Sequence, residues 1–495
     1  MYASSHGVSN PALHNAQATT QLPMPPHSAT TSFGTQSIFM PYGDEKLRLD
    51  SDGKPSSEAN FGLELGASTN GKIDGDGTMG KPAAEDAPTP PAGPTFPDGG
   101  RDAWLVVLGG FLAFYCGLGY ISSYAVFQAY YAEHQLAGYS QDTIAWIGSI
   151  QLWGNFGFGL PAGILLDRFG AKAPMLIGTF FVFIGTMMTS LCQPGQFYQF
   201  FLSQGLCSSI GYGLIFNCAL SVPNQWFLKK RGVVSGLVVG GTSFGGALWP
   251  VMLNSLLNDR KVDFGTTIRA CGYIQGGLLL VATFLIKTRF PRNMIKGPPP
   301  FKAMFTCPKY LAFLAADTIA FFGLYSPYIF VSAYGVSRGA SLSTSFFMAS
   351  VLNATSFFGR FLIGLLADKM GWFNTLSAST LLTAIIAFCW PAAHSVSAQF
   401  VWAAFYGFWA GAVVSLLAPC VARIAPSPKL IGQYMGVNTT IAALGVLAAE
   451  PIAGRLIQNH HGDFTQAQIF IAVMILLGAG FFVLARLLVG RGLKV

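Results

Sequence analysis

From residue 104 onward the chain carries about twelve apolar stretches of roughly 19 to 26 residues, separated by short polar turns. Coiled as a helix rising about 1.5 Å per residue, each is long enough to cross a hydrocarbon core about 30 Å thick. Inside lipid a backbone must satisfy its own N–H and C=O groups, which leaves helices or a closed barrel as the options, and stretches of this length select helices. They lie near 104 to 128, 143 to 166, 173 to 193, 197 to 221, 233 to 257, 270 to 288, 310 to 333, 344 to 367, 373 to 393, 398 to 421, 431 to 456 and 465 to 489. With 52% hydrophobic and only 10% charged residues, the chain is too apolar for a water-soluble protein of this size. The expectation is an all-α membrane protein of twelve transmembrane helices, surrounded by the lipid bilayer.

Residues 1–102 differ in kind. They are rich in Ser, Gly, Pro, Thr and Asp and lack apolar periodicity, which predicts a disordered cytoplasmic tail. The tail holds twelve of the twenty-one acidic residues, so the net charge of +8 hides a strongly basic remainder. Those bases gather in short loops: eighteen Lys and Arg on one side of the predicted spans, against Arg260, Lys261, Arg269, Arg338 and Arg455 on the other. Cytoplasmic loops collect positive charge, so both termini are expected inside, with the plasma membrane the expected location and an organelle membrane such as the vacuole's the alternative. Bases confined to loops do not make a nucleic-acid surface.

Enzyme chemistry and cofactors are not expected. The eight Cys show no paired spacing, and His460 and His461 have no neighbouring metal-ligand pattern. GDGTMGKP (75–82) has the spacing of a phosphate loop through its Lys, but Pro82 stands where Ser or Thr would hold magnesium. The Asn-X-Thr triplets at Asn353 and Asn438 fall inside spans, out of reach of glycosylation.

One octet occurs twice. GILLDRFG, Gly163 to Gly170, closes the second span, and GLLADKMG, Gly364 to Gly371, closes the eighth. Each opens on a glycine that permits close helix approach, places an acid and a base just beyond the membrane (Asp167 and Arg168; Asp368 and Lys369), and ends on a glycine that turns the chain. Equivalent octets six spans apart imply two related halves, 103–288 and 310–489, joined by a cytoplasmic linker, 289–309, with 490–495 as the C-terminus. The two acids are expected to hold the inner face shut; plain helix-end charges are the alternative.

The loop GILLDRFGAK resembles the signature between helices 2 and 3 of the major facilitator superfamily. DGGRDAWLVVLGGF (98–111) and WFLKKRGVVSGLVVGGTSFGG (226–246) resemble its monocarboxylate transporter family, in particular the fungal branch. The resemblance covers about residues 97 to 490 and implies an alternating-access secondary transporter whose relatives carry monocarboxylates, riboflavin or secondary metabolites. It also implies a substrate-carboxylate ligand in Arg360, which matches the family's helix 8 Arg. Two departures bear on proton coupling: Ser356 stands where proton-coupled members have Asp, and Ser122 falls near where they have Lys.

Charges within the spans are few: Asp317, Arg360 and Glu450. An intramembrane charge is a functional candidate by default. Arg360 reads either as half of an interhelical ion pair or as an anion anchor, since a guanidinium fork matches a carboxylate in two parallel hydrogen bonds. Asp317 is expected at a similar depth, about 10 to 12 Å from the inner helix ends, where it would neutralise Arg360 when the site is empty. Tyr325 and Tyr328 continue a polar stripe from Asp317 towards Ser332, as packing or as ligand contacts. Asn155, Asn217 and Asn353 are further polar residues within spans that serve either substrate or helix contacts, and Gln151 is another. Glu450 reads as a surface acid paired with Arg455. The reading is a transporter of a small organic anion or related metabolite, proton-coupled or exporting; a nutrient sensor signalling through the tail and a riboflavin-type facilitator are the alternatives.

Overall fold

A computed structural model describes residues 96–289 and 299–490. The tail up to residue 95, with its phosphate-loop-like octet, lies outside the described residues, as do positions 290–298 of the linker and the last five positions.

We number the long helices α1 (Arg101–Gln135), α2 (141–169), α3 (Lys172–Thr189), α4 (Phe197–Trp226), α5 (Arg231–Asp259), α6 (Phe264–Leu285), α7 (Pro308–Ser337), α8 (Leu342–Met370), α9 (Trp372–Ala392), α10 (Val396–Ile424), α11 (Ile431–Asn459) and α12 (Thr465–Val489). Eleven helices among the described residues are long and apolar enough to cross a membrane, by length and composition. The exception is α2, which consists of two shorter helices, Gln141–Gly157 and Gly159–Phe169, meeting at Phe158. Helix begins at Arg101 and Asp102, so the expected tail ends slightly earlier than its composition suggested. The expected linker contains a helix of its own, Phe301–Thr306.

Local chemistry sets several starts. Ser140, Asp263, Ser341 and Ser395 each accept the N–H three residues on, capping α2, α6, α8 and α10. The break in α2 follows from Pro161. It has no N–H to give the Gly157 carbonyl one turn earlier, and its ring crowds that carbonyl. Thr440 of α11 fills in: its Oγ1 donates to the Gly157 carbonyl over 3.0 Å and accepts the Leu160 N–H over 2.8 Å. Asn217 Nδ2 donates to the neighbouring Gly159 carbonyl over 2.9 Å.

Packing repeats with an offset of six helices. The pairs α1–α5, α1–α6, α2–α4, α3–α4 and α3–α6 correspond to α7–α11, α7–α12, α8–α10, α9–α10 and α9–α12. The two sets meet along two seams, α2 against α11 and α5 against α8, which exchange under the same offset.

Glycine lets backbones touch at these crossings. A Cβ on Gly359 would overlap the Phe408 carbonyl of α10, within one set of six; on Gly236 or Gly163 it would overlap the carbonyls of Arg360 and Gly432 across the seams. The consequences should differ. Gly359→Val is expected to reduce the yield of folded protein, because α8 and α10 have no reason to part. Gly163→Val and Gly236→Val should fold but hold the seams apart, seen as faster labelling at the helix ends that carry the octets with unchanged detergent-solubilised yield. Equal loss of yield in all three would remove the distinction.

Candidate transport site

The two octets meet the opposite set of helices in the same way. Asp368 accepts the Gly232 and Val233 N–H groups, at 2.7 and 3.0 Å, and Trp372 Nε1 at 2.9 Å. Asp167 accepts the Gln433 N–H at 2.8 Å. Each carboxylate thus sits on the first turn of a helix across a seam, Asp368 on α5 and Asp167 on α11, where free N–H groups and the helix dipole favour negative charge. Gly163 and Gly364 press against the backbones of Gly432 and Gly232, and Gly170 and Gly371 turn the chain at φ 77° and 100°. Every glycine and acid of the repeat therefore has a steric or electrostatic reason. Of the bases, Arg168 is half-buried and Lys369 exposed.

A cluster that sequence reasoning missed adjoins Asp368. Arg231, buried at the start of α5, donates to the carbonyls of Phe227 and Asn224 and stacks on Trp372 and Phe96. Asp98 Oδ1 accepts the N–H groups of Leu228 and Lys229, both at 2.7 Å, tying the segment ahead of α1 to the loop ahead of α5.

Deeper in, a small cavity lies between residues of α1, α2, α4, α5, α7, α10 and α11. Phe114, Phe156, Phe216, Val239, Asp317, Phe321, Tyr325 and Asn438 are among its lining residues, and it has room for about one water molecule. Phe156 of α2 touches Phe216, Phe321 and Tyr325, so aromatic rings form much of the wall.

Arg360 is buried in α8 and reaches across the seam to α5. Its Nη1 donates to Ser243 Oγ at 2.5 Å and to the carbonyl of Val239, a cavity-lining residue, at 3.2 Å. Its Nε is buried without a hydrogen-bond partner. The expected ion pair with Asp317 is not formed. Asp317 turns towards α11 instead, where Asn438 Nδ2 donates to its Oδ2 over 2.6 Å, while its Oδ1 has no partner. Both groups are within electrostatic reach of Tyr325, whose hydroxyl is buried and unpartnered. Tyr328 donates to Ser356 Oγ at 3.3 Å, so the residue at the family's Asp position has a hydroxyl neighbour.

The other candidates scatter. Asn217 is occupied by the α2 break and by Ser221. Asn353 donates to its own helix and lies beside Gly246 of α5. Asn155 is buried with both amide atoms unpartnered and does not itself line the cavity, although its neighbour Phe156 does. Ser332 donates to the Ser345 carbonyl. Glu450 is not paired with Arg455: it accepts from Ser326 Oγ at 3.0 Å, where the second segment of α7 begins, and its Oε2 is buried without a partner. Among the described residues no group of His, Cys, Asp and Glu could hold a metal ion.

The sequence profile of the Major Facilitator Superfamily matches residues 106–450. The chain belongs to the Major Facilitator Superfamily. It is similar to an aspyridones efflux protein of Emericella nidulans, 38% identical over 79% of each chain. An agnestins efflux protein of Paecilomyces divaricatus is 35% identical over 79% of this chain and 89% of that one. In three dimensions it shares the fold of the fucose:proton symporter of E. coli, with a TM-score of 0.60 and 15% identity over 78% of this chain and 99% of the other. This facilitator is therefore an integral, multi-pass membrane transporter of a small molecule, and not an enzyme.

Proposed function

We propose that this facilitator is an alternating-access exporter of a small organic anion and that Arg360 binds the anionic group. The observation carrying this reading is a buried guanidinium with no carboxylate partner among the described residues: Nη1 is held by α5 and Nε is unused. A charge left so incompletely paired inside a membrane protein is costly unless a ligand completes it. The names of two relatives, both efflux proteins of fungal metabolites, favour export and a metabolite over a simple monocarboxylate. We count the two segments of α2 as one span, giving twelve, with the paired octets as the inner gate.

Inside-out vesicles should accumulate at least one member of a panel of carboxylated fungal metabolites, with and without an imposed pH gradient. Uptake of the methyl esters but not of the acids would overturn the anion reading. Both termini are proposed to be cytoplasmic, on the eighteen-to-five division of loop bases. Epitope tags at either end should therefore be protected from antibody in intact cells, and an exposed C-terminal tag would overturn the orientation.

A further inference from the structure

Asp317 and Asn438 face one another across the contact between α7 and α11, in the wall of the central cavity. Their mutual hydrogen bond uses Asn438 Nδ2 and Asp317 Oδ2. It leaves Oδ1 of each residue buried without a partner, and the two residues are 1% and 0% exposed. The carboxylate fixes the amide orientation, since only its nitrogen can donate to Asp317 Oδ2, and the remaining carboxylate and amide oxygens are both acceptors. Few buried polar groups in folded proteins lack a partner, and two adjacent acceptors in one cavity wall call for a donor. A metal cation is a poor match, since hard cations take six or more oxygens and the cavity's other named lining residues are largely apolar. A donor lies nearby on another pair of helices: Arg360 of α8, whose Nη1 donates to the carbonyl of the cavity-lining Val239 of α5, holds its Nε free. The site is thus polarised: donor groups at α5–α8, acceptor groups at α7–α11, and the rings of Phe114, Phe156, Phe216 and Phe321 lining the cavity.

We propose that the Asp317–Asn438 pair is a substrate subsite for a hydrogen-bond donor, a hydroxyl or an N–H. The transported anion is then a ring-bearing acid with a donor remote from its acidic group. Placement of the acidic end rests on the Arg360 reading above; the donor subsite does not.

Matched probes separate the two. Purified full-length protein is titrated with cinnamic and para-hydroxycinnamic acids, with phenylacetic and para-hydroxyphenylacetic acids, with indole-acetic acid and its N-methyl derivative, and with the methyl ester of each, following intrinsic tryptophan fluorescence. The donor-bearing member of each binding pair should bind about tenfold or more tightly, as expected for a hydrogen bond to a charged group. Asn438→Leu and Asp317→Asn should bring the pair to within about twofold. Two variants are used so that misfolding of one leaves the other informative. Equal affinity within every pair, discrimination that survives in both variants, or no binding by any probe overturns the proposal. Esters that bind as tightly as acids, with the donor effect intact, overturn the anion reading alone.

Discussion

Arg360→Ala is expected to reduce transport of a carboxylate substrate by about 100-fold or more at equal surface expression, because it removes charge-assisted hydrogen bonds worth about 1.5 to 3 kcal/mol each. Arg360→Lys should recover little. Arg360 already commits Nη1 to Ser243 and to the Val239 carbonyl. A planar fork can keep those bonds and still offer Nε to an anion, whereas an ammonium is a single point and must choose. The measurement is flux into proteoliposomes per folded molecule. If Arg360 were only a clamp between α8 and α5, Arg360→Ala would lower thermal stability while each folded molecule transported normally, and that result would end the anchor reading.

The second large effect concerns the inner ends, where the structure makes the two octets unequal. Asp368 accepts from two backbone N–H groups and from Trp372 Nε1, whereas Asp167 accepts from the Gln433 N–H, lies against Gly432 and has no side-chain donor among the described residues. Asp368→Asn should therefore open the cytoplasmic side by about tenfold or more, and Asp167→Asn by only severalfold, on the same scale of charge-assisted bonds. Turnover should change more than apparent affinity, since neither residue lines the central cavity. A cysteine introduced at Gln433, buried on α11 beside Asp167, provides the readout through its labelling rate in inside-out vesicles. Equal labelling in both variants would show that the hydrogen-bond inventory does not set the gate.

Much of this architecture was legible because it depends on composition over tens of residues. Apolar stretches long enough to cross lipid have one economical fold, and helix starts at Ser140, Ser341 and Ser395 obey local capping rules. The octets were legible for a different reason: glycine and aspartate at fixed spacing have few other uses at a helix end. Helix azimuth was not legible. Depth along a helix placed Asp317 level with Arg360, but the direction each side chain takes depends on how its helix is rotated against its neighbours, which rise per residue does not encode. Asp317 consequently faces Asn438 and Arg360 faces Ser243. Asn438 and Thr440 were in view within an Asn-Thr-Thr run, yet that run reads as an unusable glycosylation triplet until α11 is seen to cross the broken helix α2. Arg231 was obscured in another way, as one of several bases in a short loop, and only its burial against Trp372 sets it apart.

The bridge that Thr440 makes to Gly157 and Leu160 also bears on how the protein is made. Synthesis runs from the N-terminus, so α2 enters the bilayer about 270 residues before Thr440 exists. Until then the carbonyl stranded by Pro161 lies at membrane depth without its eventual hydroxyl donor, a situation that lipid penalises by several kcal/mol per group. The first six helices are consequently an unfinished product when they leave the ribosome. α2 completes its hydrogen bonding late, when α11 arrives, and a chain truncated before residue 440 leaves the Gly157 carbonyl and the Leu160 N–H without this partner.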